Sequence, residues 1–157
     1  MKDAVKQILK WLVASVAVCA AVCWATEQAG NLLGFELRDQ TSVDLVRKMA
    51  GWNMRFVYFV SYVAVAAPIW EEALFRWFFW KRAGAASPRA AAVASSLAFA
   101  GAHYLFAARP DNAFIALFIF GLIQCRLYFN TDRLWCAVVN HSLFNIANMA
   151  ILFVFDK

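Results

Sequence analysis

Residues 56–80 read FVYFVSYVAVAAPIWEEALFRWFFW, and this stretch decides the fold. From Phe56 to Trp70 it carries no charge; Glu71, Glu72 and Arg76 come next, and the apolar character resumes as far as Trp80. A membrane-crossing helix needs about 20 such residues. In hydrocarbon every backbone polar group must pair within its own segment, so an apolar run of this length is helical. An ionisable side chain there costs about 2.5–3.5 kcal/mol on insertion scales and therefore faces a protein interior. Glu72 and Arg76 are four apart and share one helix face, so Arg76 can neutralise Glu72, and a paired charge is cheaper to bury than an isolated one. Glu71 leaves the helix about 100° away. It has no basic partner in the helix, and its carboxylate suits general-base work on water. Pro68 removes a backbone donor just before the pair and can kink or open the helix there.

Working outward, four more apolar segments appear. Trp11 to Thr26 is uncharged, Ala90 to Ala108 contains only His103, Ala113 to Phe129 only Arg126, and Leu134 to Phe155 only His141. The chain is 64% hydrophobic, against about 45–50% for a soluble domain. The expectation is an all-α, polytopic transmembrane bundle of about five spans. Residues 1–53 form an N-terminal transmembrane helix with a polar connecting segment, and 54–157 form the helical core. The first segment follows the basic residues Lys2, Lys6 and Lys10, like a signal peptide. Its apolar core is long for one, and Trp24 does not suit a cleavage region, so it reads as a retained helix. Between Glu27 and Asn53, Val43, Leu45, Val46 and Met49 alternate with Asp44, Arg47 and Lys48. That pattern fits either a short surface helix, capped by Thr41 or Ser42, or an ordinary loop.

Lys2, Lys6 and Lys10, then Lys81, Arg82 and Arg89, then Arg126 and Arg133 cluster at alternate ends of the spans. The excess of cytoplasmic lysine and arginine seen in membrane proteins places the N-terminus inside. The net charge of +5 is modest. It forms no basic stripe with interleaved aromatics, so nucleic acid is not an expected partner. Cys19, Cys23, Cys125 and Cys136 lie inside apolar runs without CxxC spacing, and read as small packing residues rather than disulfides or zinc ligands.

Two more polar clusters share the membrane with the Glu pair. His103 closes Phe99-Ala100-Gly101-Ala102-His103, and His141 and Asn145 lie one turn apart on one face. Each has a bland reading as a packing group or an interhelical hydrogen bond. Their depths favour a shared role. Counted from the basic residues flanking each span, Glu71, His103 and His141 lie roughly 15, 21 and 12 Å in, at about 1.5 Å per residue. All three fall in the middle of a hydrocarbon core of about 30 Å. Two carboxylates, two imidazoles and a carboxamide from different helices make a set able to activate water, with imidazole and carboxamide placed to donate to a developing oxyanion.

Glu71-Glu72-x-x-x-Arg76, Phe99-x-x-x-His103 and His141-x-x-x-Asn145, in that order and each in its own apolar segment, resemble the three-motif signature of the CPBP family of intramembrane proteases. That family takes in the CAAX prenyl endopeptidases of the Rce1 type and the bacterial Abi proteins. The resemblance covers roughly Phe56 to Ala150. It implies a four-helix catalytic core in which Glu71 activates the attacking water with His103 as partner. His141 and Asn145 would surround the oxyanion, and Glu72 and Arg76 would support. It implies an intramembrane endopeptidase acting on a membrane-associated peptide or protein, such as a C-terminal sorting or anchoring tail, in a bacterial inner membrane. Many members have about eight helices against about five read here, so the resemblance leads one to expect a catalytic core without the accessory helices that shape substrate access. The glutamate–water mechanism needs no metal. The alternative is zinc held by Glu71, His103 and His141, although the chain has no HExxH. The rival functions are a non-proteolytic binding or bacteriocin self-immunity protein, and a small transporter with a buried proton relay. The transporter lacks the repeated, broken-helix halves it would need.

Overall fold

The computed structural model describes residues 1–34, 54–79, 82, 87–105 and 113–155. Those residues form five helices: α1 (Lys2–Leu33), α2 (Met54–Phe78), α3 (Pro88–Leu105), α4 (Ala113–Thr131) and α5 (Leu134–Phe155). The architecture is the expected all-α membrane bundle, and no strand occurs among the described residues. The surface helix considered for Val43 to Met49 lies outside them.

The helix ends reflect local chemistry. Gly34 takes a left-handed φ of 74° and stops α1, its N–H donating to the carbonyls of Gly30 and Asn31, a conformation that a residue without Cβ adopts freely. Ser87 Oγ accepts the Ala90 N–H at 3.3 Å, and Pro88 follows it at the first helical position. That pairing satisfies one orphan donor and places a proline where its missing N–H is not needed. Only Asp132 and Arg133 separate α4 from α5. Asp132 has a positive φ of 49°, which aspartate tolerates better than most residues, and so short a link makes the two helices antiparallel neighbours.

Helix α4 is central. It packs against α3, α1 and α5, while α5 also packs on α1 and α2. One core cluster joins Cys19, Phe75, Phe99, Ala116, Phe120 and Phe144, drawing on all five helices; a second joins Ala4, Ile8, Leu127 and Cys136. Cys19, Cys125 and Cys136 are buried, which fits their reading as packing residues. Asn140 Nδ2 donates to the Ile8 carbonyl at 2.9 Å and ties α5 to α1. Large apolar side chains such as Val13, Trp24, Tyr58 and Trp70 point outward, as suits contact with lipid tails.

Four of the five helices are long and apolar enough to cross a membrane by length and composition. Helix α3 is the exception: Arg89, Ser95, Ser96 and His103 lower its hydropathy. Ser95, Ser96, Phe99 and Ala100 are fully buried, so much of its surface faces protein.

Helix α2 departs from regular α geometry twice, in π stretches at Tyr62–Ala66 and Ala73–Phe78 on either side of the α segment Ala67–Glu72. Such bulges free or displace carbonyls. Here neighbouring helices supply donors: Asn145 Nδ2 reaches the Val63 carbonyl at 2.9 Å and Ser95 Oγ reaches the Phe75 carbonyl at 2.6 Å.

The α3–α4 contact depends on Gly121. A Cβ there would lie 2.9 Å from Ser96 Cβ and 3.0 Å from Ser96 Cα. Gly121→Ala must push the helices apart, an overpacking that costs about 1–3 kcal/mol. The Gly121 carbonyl also accepts a bond from Arg76 Nη2 at 3.3 Å, so the shift reaches the polar cluster. Thermal unfolding in detergent is expected to show a lower midpoint, and an unchanged midpoint would mean that Ser96 gives way without strain.

Candidate active site

The three polar clusters meet. Glu71 and Glu72 come from the central α segment of α2, His103 from the C-terminal end of α3, and His141 from the first half of α5. Glu71 lies between the two imidazoles, with Oε1 3.9 Å from His103 Nε2 and Oε2 3.6 Å from His141 Nε2. Both separations exceed a direct hydrogen bond, and over such gaps a bridging water is the ordinary connection. The Glu71 and His103 side chains are 26% and 35% exposed, whereas His141 is 4% exposed. The site therefore opens on the Glu71–His103 side and is closed beneath His141.

Each ring is held by its other nitrogen. His103 Nδ1 lies 2.9 Å from the Phe99 carbonyl, one turn back in the same helix. A carbonyl only accepts, so Nδ1 carries the hydrogen, and in the neutral ring Nε2 presents a lone pair toward Glu71. His141 Nδ1 lies 2.8 Å from Glu72 Oε1. A carboxylate likewise accepts, so Nδ1 donates and Nε2 faces Glu71. Phe99 does more than lend its carbonyl. Its buried ring lies 4.6 Å below the Arg76 guanidinium, 4.6 Å from the His103 ring and 5.9 Å from the His141 ring. Phe120 packs beside Phe99, its ring 4.9 Å from His141, edge to face, and it stacks on Phe144 at 4.3 Å.

The Glu72–Arg76 pair forms as the i,i+4 spacing requires, Nε to Oε2 at 3.2 Å, with both side chains fully buried. It is an ion contact without hydrogen-bond alignment, and Arg76 Nη1 has no hydrogen-bond partner among the described residues. Sequence reasoning gave Glu72 only the task of balancing Arg76. In the fold it has two: one oxygen faces Arg76 and the other holds His141. Asn145, expected beside the oxyanion, spends one amide hydrogen on the Val63 carbonyl. Sequence reasoning also missed Gly121 as the acceptor for Arg76, and Gln124, buried in the same helix with Nε2 3.5 Å from the Ala137 carbonyl. A glutamine in the apolar run Ala113 to Phe129 was the available signal. Among the described residues no set of three or more His, Cys, Asp or Glu side chains is placed to hold a metal ion.

A family model described as "Type II CAAX prenyl endopeptidase Rce1-like" matches residues 53–147. The chain belongs to that family. The match begins at the start of α2, ends within α5 and contains all three polar clusters. No curated protein and no solved structure matches the chain. The Rce1-like family is one of CAAX-type intramembrane endopeptidases, so membership makes this an integral membrane protein of a protease family. Helix α1, which precedes the matched region, packs on α4 and α5.

Proposed function

We propose that this Rce1-like protein is an intramembrane endopeptidase in which Glu71 activates water against a peptide bond of a membrane-associated substrate. The observation that carries the reading is the position of Glu71. It is a partly exposed carboxylate flanked by two imidazole Nε2 atoms at 3.9 and 3.6 Å, delivered by two other helices.

A water held between Glu71 and the Nε2 lone pair of His103 donates a hydrogen to each, which leaves its oxygen free to attack the scissile carbonyl. As the C–O bond forms, the water proton passes to Glu71, and from there to the amine that leaves when the C–N bond breaks. The tetrahedral intermediate carries a negative oxygen. His141, with Nδ1–H committed to Glu72, is oriented so that its Nε2 edge faces the reacting centre and donates to that oxygen when it carries a proton. This parallels the buried aspartate that orients a catalytic histidine in serine proteases. The second amide hydrogen of Asn145 completes the donor set. A C-terminal anchoring tail suits this chemistry, because its peptide bond can enter sideways from lipid into a site at mid-depth. The proposed setting is a bacterial inner membrane.

The test is cleavage of membrane-anchored reporter peptides by the protein in proteoliposomes. His103→Ala removes the partner that holds the water and is expected to lower the rate by about 10²–10⁴. A strong chelator is expected to leave the wild-type rate unchanged. Full inhibition by the chelator, reversed by added zinc, would replace the glutamate–water mechanism with a metal-dependent one.

A further inference from the structure

Helix α2 loses one rung of its hydrogen-bond ladder, and α5 fills it. At the end of the first π stretch the Ala67 N–H donates to the Tyr62 carbonyl, five residues back. In an α-helix that N–H would have served the Val63 carbonyl. In the π register the next donor, from residue 68, would serve it instead. Residue 68 is proline and has no N–H. The bulge and the proline together thus strip the Val63 carbonyl of both backbone donors within reach. Asn145 Nδ2 donates to it at 2.9 Å. Deep in a bilayer no water would take that place, and an unpaired carbonyl there is strongly unfavourable.

We infer that Asn145 is a positioning residue, whose amide replaces the backbone donor that Pro68 lacks and so pins the Glu71–Glu72 turn of α2 against His141. The α segment that carries the pair lies between two π stretches. The rung lost at Val63 weakens the tie between this segment and the helix before it, so a side-chain clamp can set its register there. His141 and Asn145 are one turn apart on α5 and share a face. They grip α2 at two points, His141 at the Glu72 carboxylate and Asn145 at the carbonyl of Val63, about two turns before the pair. Losing the upper grip should let the lower one shift. The proposed function would then use Asn145 twice, with one amide hydrogen on Val63 and the other toward the oxyanion. The positioning role itself does not depend on that function.

A double-mutant cycle on the full chain in bicelles tests this. Asn145→Ala orphans the Val63 carbonyl in the wild-type background. In the Pro68→Ala background residue 68 regains an N–H that can serve that carbonyl, and the same change should matter little. The expected cost of Asn145→Ala is roughly a 5- to 150-fold fall in the folded-to-unfolded ratio with Pro68 present, and less than about threefold with Ala at 68. If Asn145→Ala alone yields no folded chain, folded yield becomes the measure and must recover in the double variant.

A second readout separates positioning from general stability. The chain has two histidines, so ¹⁵N-histidine labelling gives two sets of ring signals, assignable with His103→Gln. Asn145→Ala should move the His141 signals in the folded population, and Pro68→Ala should return them toward wild type. Equal cost in both backgrounds, or no recovery of yield, would overturn the inference. So would His141 signals indifferent to Asn145. Neither readout uses a substrate, so failure here is distinct from failure of the protease reading.

Discussion

Glu71→Gln is expected to abolish turnover of membrane-anchored peptides while the protein stays folded and still binds them. The substitution preserves shape and removes basicity. Glu71 is also the carboxylate of the cluster that has no cation in its own helix, since Arg76 faces Glu72. Because Glu71 is partly exposed and meets the imidazoles only across gaps of 3.6 and 3.9 Å, an uncharged amide leaves no buried charge behind, and the unfolding midpoint should hardly move. The loss of a general base should cost at least about 10²–10⁴ in rate, enough to take a slow intramembrane protease below detection. A binding or immunity protein built on the same core would keep its function with glutamine. Cleavage by Glu71→Gln at the wild-type rate would rule out the mechanism proposed here.

The second large effect is expected at Arg76. Arg76→Ala leaves the Glu72 carboxylate buried without its cation, a change that typically costs about 3–5 kcal/mol, and most of the folded yield should disappear. Removing both charges in Arg76→Ala/Glu72→Ala should restore much of that yield. It should not restore turnover. Glu72 Oε1 lies 2.8 Å from His141 Nδ1, and without it the ring loses the bond that orients it. Folded yield from membranes and cleavage rate, measured on the same preparations, separate the two tasks of Glu72. A double variant that folds and cuts normally would show that the Glu72–His141 contact is dispensable. A single Arg76→Ala variant with wild-type yield would remove the ion-pair argument altogether.

Much of this protein was legible along the chain because it is local. Uncharged runs of spanning length can only be helices in lipid, so an all-α bundle followed from composition and charge spacing. The Glu72–Arg76 pair followed from the 3.6-residue period, which puts positions four apart on one face. The placing of Glu71, His103 and His141 in separate segments followed from counting, and so did the absence of an in-helix partner for Glu71.

Contacts between residues far apart in sequence were not legible in this way. Glu72 and His141 are 69 positions apart, Val63 and Asn145 82, and Ile8 and Asn140 132. Such pairs depend on how each helix is rotated about its own axis and on which small residue lets two helices close. Gly121 against Ser96 is one such approach, and no helical period encodes it. The π stretches of α2 are a second case. Each adds a residue to a turn and rotates the remainder of the helix, and so helps decide which glutamate meets which histidine. The sequence by itself determined which groups are present and on which helices they lie. Only the packing decided that Glu72 would hold His141, that Phe99 would hold His103, and that Asn145 would bind the carbonyl left open by Pro68. The physical reason is that lipid and helical periodicity act on each segment alone, whereas side-chain pairing is settled only when the segments meet.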